Sequence, residues 1–444
     1  MSMMTEAEAK RICDKVLSLA KADQCEVQLN GGRTGNIRFA RNTVSTSGLV
    51  DDIDLVVAVA YGTRQGTVTT NELDDAGLER AVRRAEELAK LAPENPEFMP
   101  AVAKQTYKPT TTFHESTAAI TPEQRAQAAA DSLEPSRKSG LVAAGFLEDN
   151  AGFIAQANSN GVFGYQRQSG MDFTCTVRTA DGRGSGWVSK NVDDSRKMST
   201  RLASEIAIAK AKQSVDAKAL EPGRYTVILE PAAAAGIINF LWFGLDARQA
   251  DEGRSFMSKK GGGNRIGEKF FDERVNFYAD PSHPEVPVLP WDGEGTARER
   301  VDVVKNGVVN YLQYSRYWAK EKGVAAKAQP GNLIMDGGKA SLEDMIKSTK
   351  KGILVTRTWY LRMVDPQSVL ITGLTRDGTF YVENGKILYP VKNFRFNESP
   401  VTMLNNLEEL GKSERIAGDE AAVIMMIPPM KIRDFNFTSL SDAV

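Results

Sequence analysis

The sequence predicts an α+β protein, with a mixed helix and sheet N-terminal portion followed by a large, β-rich, mostly antiparallel C-terminal domain. Three observations lead there. Runs with apolar residues every three to four positions mark helices in the first half. Short apolar runs broken by Gly, Asn and Asp fill the stretches between them. The second half carries Asn306-Gly307 in VVKNGVVNYL and Asn384-Gly385 in FYVENGKILYPV, each between apolar arms, the strongest short hairpin signal. At 444 residues the chain exceeds one ordinary core, and its punctuation divides it into 1–105, 106–220 and 221–444.

Ile12, Val16, Leu19 and Ala20 form one helical face over residues 6–22. From Glu26 to Thr70, runs such as NIRFA and DLVVAVAYG read as strands, and Gly31-Gly32, Gly35 and Gly62 as turns. LDDAGLERAVRRAEELAKL returns to helix, capped at Asp74 or Asp75 and stopped by Pro93 and Pro96. Residues 93–117, rich in Pro and Thr, read as a linker. Thr121, Pro122 and Gln124 make a capping box that opens the next helix. Strands follow, with hairpin turns at Asn160-Gly161 and Asp181-Gly182, and a helix over about 195–214 closes the unit. After Glu221-Pro222-Gly223, two helices interrupt the β-rich part. One is capped by Ser341 and ends near Gly352. The other opens at Ser399-Pro400, buries Met403, Leu404, Leu407 and Leu410, and ends at Gly411.

Lys and Arg number 56 against 57 Asp and Glu, a formal net charge of -1. That balance lacks the broad positive field by which nucleic-acid and anionic-membrane binders hold their partners, so neither is expected. Cys13, Cys25 and Cys175 are far apart and form no C-x-x-C, which reads as small core residues in a reducing compartment. The N-terminus mixes charges through its first turns, unlike a signal peptide, and no run nears the roughly 18 apolar residues of a membrane span. A soluble, cytoplasmic protein is expected.

Chemistry is sparse. His114 and His283 each stand alone, without the neighbours that would tune an imidazole. No H-E-x-x-H helix, nucleophile elbow or phosphate loop is present. The cluster from Lys259 to Arg265 either cradles an anion through its amides or forms a strained loop. In DARQADEGRSF, Asp251, Glu252 and Arg254 either shape a polar cleft or pair on the surface. In WDGEGTARERVDVV, Asp292 and Glu294 flank a permissive Gly293 and are candidates to line a site.

In this order, VILEPAAAAGIINFL, GRSFMSKKGGGNRIGEKFFDERVNFYADP, WDGEGTARERVDVVKNGVVNYLQYSRYWAKEKG and GTFYVENGKILYPVKNFRF resemble the TldD/TldE family, also called PmbA or modulator of DNA gyrase. The similarity runs from about residue 20 to the C-terminus. The resemblance implies a zinc peptidase system acting on unfolded peptides. TldD members hold zinc with H-E-x-x-x-H and a C-terminal cysteine, and TldE members lack the metal and pair with TldD. Laid on that motif, Glu230 takes the first histidine's place, Pro231 the glutamate's and Ala235 the second histidine's, while all three cysteines precede residue 176. One carboxylate cannot make a three-ligand catalytic zinc site. The resemblance therefore implies the metal-free branch, with no catalytic residue or cofactor of its own. Zinc is expected only in a TldD-like partner, and either that partner or a second copy completes a dimer. Pro231 suits a first helical position and Glu230 the positive end of the helix. Ala232 to Ala235 leave either close packing or an emptied pocket. The alternative is a stand-alone hydrolase whose acid and base have moved to Asp292, Glu294 or Glu252.

Overall fold

In the computed structural model, which describes residues 3–416 and 423–441, the first half runs α1 (Glu6–Leu19), β1 (Gln24–Ala40), β2 (Thr43–Tyr61), β3 (Arg64–Thr70), α2 (Asp75–Leu91), α3 (Glu115–Ala118), α4 (Pro122–Lys138), β4 (Val142–Asn158), β5 (Phe163–Arg178), β6 (Ser185–Val192) and α5 (Thr200–Gln213). Its strands make one antiparallel sheet in the order β3-β2-β1-β4-β5-β6. The sheet crosses the boundary expected near residue 105, since β1 pairs with β4 from Glu26↔Asn158 to Phe39↔Gly145. Along β1, alternate residues Cys25, Val27 and Leu29 are buried with α1 and α2, and Ile37 and Phe39 with α4 and α5. One face thus carries all four long helices, two at each end of the strands.

Of the glycines expected to turn the chain, Gly62 does so between β2 and β3 (φ 58°), whereas Gly31, Gly32 and Gly35 lie within a 17-residue strand whose turn falls at Arg41-Asn42, both at positive φ (51° and 61°). Their smallness serves close approach. A Cβ on Gly35 would stand 2.1 Å from the Arg125 guanidinium, which crosses the sheet there to reach buried Asp149.

The second half begins with β7 (Gly223–Leu229) and α6 (Pro231–Phe243). β7 lies in a nine-stranded sheet, parallel to Lys351–Val355 and antiparallel to Met430–Leu440. A six-stranded sheet pairs Asn332–Met335 in parallel with Ile424–Ile427, and the remaining strand pairs of this half are antiparallel among the described residues. α6 is apolar on every side apart from the buried Asn239, as suits a core helix, and it packs in the cluster shared by the two sheets. Both Asn-Gly hairpins form, with φ of 50° and 77° at Asn306-Gly307 and 49° and 77° at Asn384-Gly385.

Two predicted helices are shorter than expected. Leu342–Lys347 ends before Gly352, which sits in a strand. Pro400–Asn405 gives way to the strand Leu407–Leu410, which pairs with Met430–Leu440, so Leu407 is buried as a strand residue. In both places tertiary pairing overrides the helical spacing. The expected linker is a strap fastened to both halves. Ala101 N donates to Gln24 Oε1 (2.6 Å), and the Tyr107 hydroxyl donates to Gly295 O (2.7 Å).

Candidate functional site

The strand-to-helix junction at Glu230 is built by β7 and its parallel neighbour. The Glu230 amide donates to Val355 O (3.0 Å), and Thr358 Oγ1 donates to Ala233 O (3.2 Å). Pro231 occupies the first turn, where its missing N–H removes no helical bond. Ala233, Ala234 and Ala235 are at most 1% exposed, which decides between the two readings of the alanines in favour of close packing. The Glu230 side chain does not cap the helix, contrary to expectation. It reaches across to the other half, where Lys210 Nζ of α5 donates to its Oε2 (2.7 Å), with 15% and 18% of the two side chains exposed. α5 can come this near because Gly186 lets it lie on β6, where a Cβ would stand 2.1 Å from Ala207 O.

Beside the junction, Arg357 stacks between Trp187 of β6 (4.0 Å) and Trp359 (4.7 Å) and pairs with buried Asp377 (2.9 Å). The Ser185 hydroxyl donates to the other oxygen of Asp377 (2.5 Å). These contacts lock the first sheet's helix-free face to the second half.

The donor set here does not fit zinc. Of the three aligned positions only Glu230 could ligate, and an ammonium holds it. Among the described residues no group of three His, Cys, Asp or Glu side chains gathers to hold a metal ion. The cysteines are buried, with the thiols of Cys13 and Cys25 pushed up to about 12 chiefly by burial, so they are poor nucleophiles.

A second place emerges at the other end of the sheet. A cleft of about 510 Å3 opens between the helix-free face of β1, β2 and β4 and the loop at 293–294 with the capped first turn of the helix Arg316–Lys322. Glu26, Gln28 and Gln156 line it from below, Glu294 and Arg316 from above. Asp292 fixes the upper loop, its carboxylate accepting from the amides of Glu294, Thr296 and Gln329 (each 3.0 Å). Burial holds the carboxyls of Glu26 and Glu294 above their ordinary range, against the lowering influence of Arg316.

The candidates for a relocated active site do not converge. Asp292 spends its oxygens on the backbone. Glu252 is gripped on the surface by Arg254 (2.5 Å) and Arg248 (3.0 Å), and neither it nor Arg254 lines this cleft. Glu294 alone of the four lies in it. The 259–265 cluster is a tight turn whose Lys259 and Gly262 amides bond within it. His114 and His283, isolated in sequence, line one cavity of about 350 Å3 with Asp193 and Asp194. His114 Nδ1 stands 3.9 Å from Asp194 Oδ2, and burial lowers the His283 pKa.

Sequence reading missed Lys210, Glu26, Gln156 and Arg316. The polar alternation of Glu26 and Gln28 in QCEVQLN is visible, but nothing local indicates what faces it.

With this geometry in hand, the chain matches three consecutive domain descriptions. These are PmbA/TldA metallopeptidase domain 1 over residues 25–89, the central domain over 116–215 and the C-terminal domain over 222–439. It is 28% identical over 148 residues to metalloprotease PmbA of Escherichia coli O157:H7, a stretch covering 32% of each chain. It is 25% identical over 298 residues to an uncharacterized protein of Methanocaldococcus jannaschii, covering 61% of this chain and 66% of that one. The aligned stretch thus spans about a third of the first relative and just under two thirds of the second. In fold it is similar to TldE of Thermococcus kodakarensis, with a TM-score of 0.86 at 16% identity over 98% of this chain and 100% of that one.

Proposed function

The chain belongs to the PmbA/TldD metallopeptidase family, and on that footing we propose that it is a metal-free subunit, acting with a zinc-bearing relative to bind and process unfolded peptides. The observation that carries this reading is the junction at Glu230. Lys210 and Glu230 neutralise one another where the family's metal helix begins, and packed alanines fill the following turn. A lysine in contact with the one remaining donor disfavours a divalent cation, because the like charge would have to be expelled or deprotonated. What the chain keeps is a β-rich frame whose sheets end in strands that no further described strand pairs. Such edges hold extended peptides through backbone bonds and tolerate varied sequence.

The test is to purify the chain alone and together with an H-E-x-x-x-H relative from the same genome, and to assay both on an unfolded peptide. Cleavage is expected only in the mixture, and elemental analysis of the single chain should find far less than one zinc per protein. Full activity of the metal-stripped single chain, or stoichiometric zinc in it, overturns the reading.

A further inference from the structure

We infer that the cleft between the helix-free sheet face and the 293–294 loop binds an alkylammonium group, supplied by a peptide's N-terminal amine or by a lysine side chain. The lining is a set of acceptors short of donors. Among the described residues none donates a hydrogen bond to the carboxylate of Glu26, and the one cation that pairs with that of Glu294 is Arg316, at 3.9 Å. The Arg316 guanidinium is engaged elsewhere, with Nη2 donating to Pro100 O. The other acid in the lining, Glu97, is held by both oxygens in the grip of Arg248 (2.9 and 3.0 Å). Two carboxylates against one guanidinium leave the cleft one negative charge in excess.

An independent feature lies beneath them. Gln156 is only 8% exposed and lines the cleft. Its Nε2 donates to Gly293 O (3.3 Å), which fixes the orientation of the amide and leaves Oε1 as the acceptor without a partner. A –NH3+ group carries three donors and no acceptor. The cleft offers two carboxylates and one amide oxygen, with Asp292 holding the Glu294 loop in place. Neutral hydroxyls would leave the excess charge unbalanced, and anions would be repelled. The charge of a cation entering here offsets the desolvation that raises both carboxyl pKa values.

The source of the amine rests on the peptide-binding reading above; the amine site itself does not. The test therefore uses the single chain, whose failure to bind says nothing about cleavage by a mixture. Titration calorimetry is run at pH 8 with a free-amine, lysine-free hexapeptide, its N-acetyl form, and an N-acetyl form carrying one lysine. The doubly blocked, lysine-free peptide should not bind. Binding of the free-amine form alone assigns the N-terminal amine, binding of the acetylated lysine form alone assigns the side chain, and binding of both means the site reads the ammonium itself. Glu26→Gln and Glu294→Gln should each weaken binding about tenfold, and Gln156→Leu should weaken it less. A cooperative melt at or above the native temperature shows that these variants fold. Equal binding of the blocked peptide, no binding of either amine, or affinity unchanged in both Glu variants overturns the inference.

Discussion

Lys210 and Glu230 illustrate how much a single side chain decides. Each is mostly buried, and each is the other's counter-ion. Removing one partner leaves a charge without solvent or pair, whereas removing both leaves only a packing change. Lys210→Met should therefore cost about 2 kcal/mol in urea denaturation, and Lys210→Met combined with Glu230→Gln should recover most of that loss. Equal losses in the single and double variants would mean the pair contributes packing alone. The cleft carboxylates run in the opposite sense. Glu26 and Glu294 have folded pKa values raised above their unfolded ones. The stability they contribute is present below the ordinary glutamate range and is lost as pH rises through the raised value. Glu26→Gln and Glu294→Gln should accordingly melt higher than the native chain at pH 7, with the difference closing by about pH 4. Glu294 is half exposed, so its share should be the smaller.

At the scale of elements, the glycines of β1 separate what is legible from what is not. Asn306-Gly307 and Asn384-Gly385 could be read because a tight hairpin demands positive φ at two adjacent residues, a requirement stated entirely by local sequence. Gly32 and Gly35 look like turns by the same rule, yet their cause lies on β4 and α4, more than 80 residues away along the chain. The junction at Glu230 divides the same way. Its strand and its proline-led helix were readable, but Lys210 was not, because it arrives from another domain. Gly35→Ala tests the long-range reading. The new methyl must displace Arg125 from Asp149, and both members of that pair are nearly sealed from solvent, with 4% and 3% of their side chains exposed. A loss of about 3 kcal/mol is expected by denaturant titration, against about 0.5 kcal/mol or less for alanine at a comparable exposed strand position.

Across the whole molecule, the two halves are joined at points on the sheet's helix-free face and through α5 on the other. Tyr107 bonds Gly295 near one end, Arg357 and Asp377 receive Trp187 and Ser185, and Lys210 meets Glu230. A further joint is Arg415, whose Nη1 and Nη2 grip both oxygens of Asp193 (2.8 and 2.5 Å) while Nε donates to Asn191 (2.7 Å). A bidentate guanidinium that is 13% exposed, against an aspartate that is 15% exposed, is among the stronger of these contacts. Its loss would strand Asp193 beside Asp172, whose carboxyl is already raised, first by burial and also by Asp193 itself. Arg415→Met should therefore destabilise the chain by about 2 to 3 kcal/mol. Because the contact lies between the halves rather than within either core, the loss should fall on their coupling. Calorimetry of the native chain should show one cooperative transition and that of the variant two, with the first half melting apart from the second. A single transition merely shifted to lower temperature would mean that the other joints suffice to keep the halves one cooperative unit.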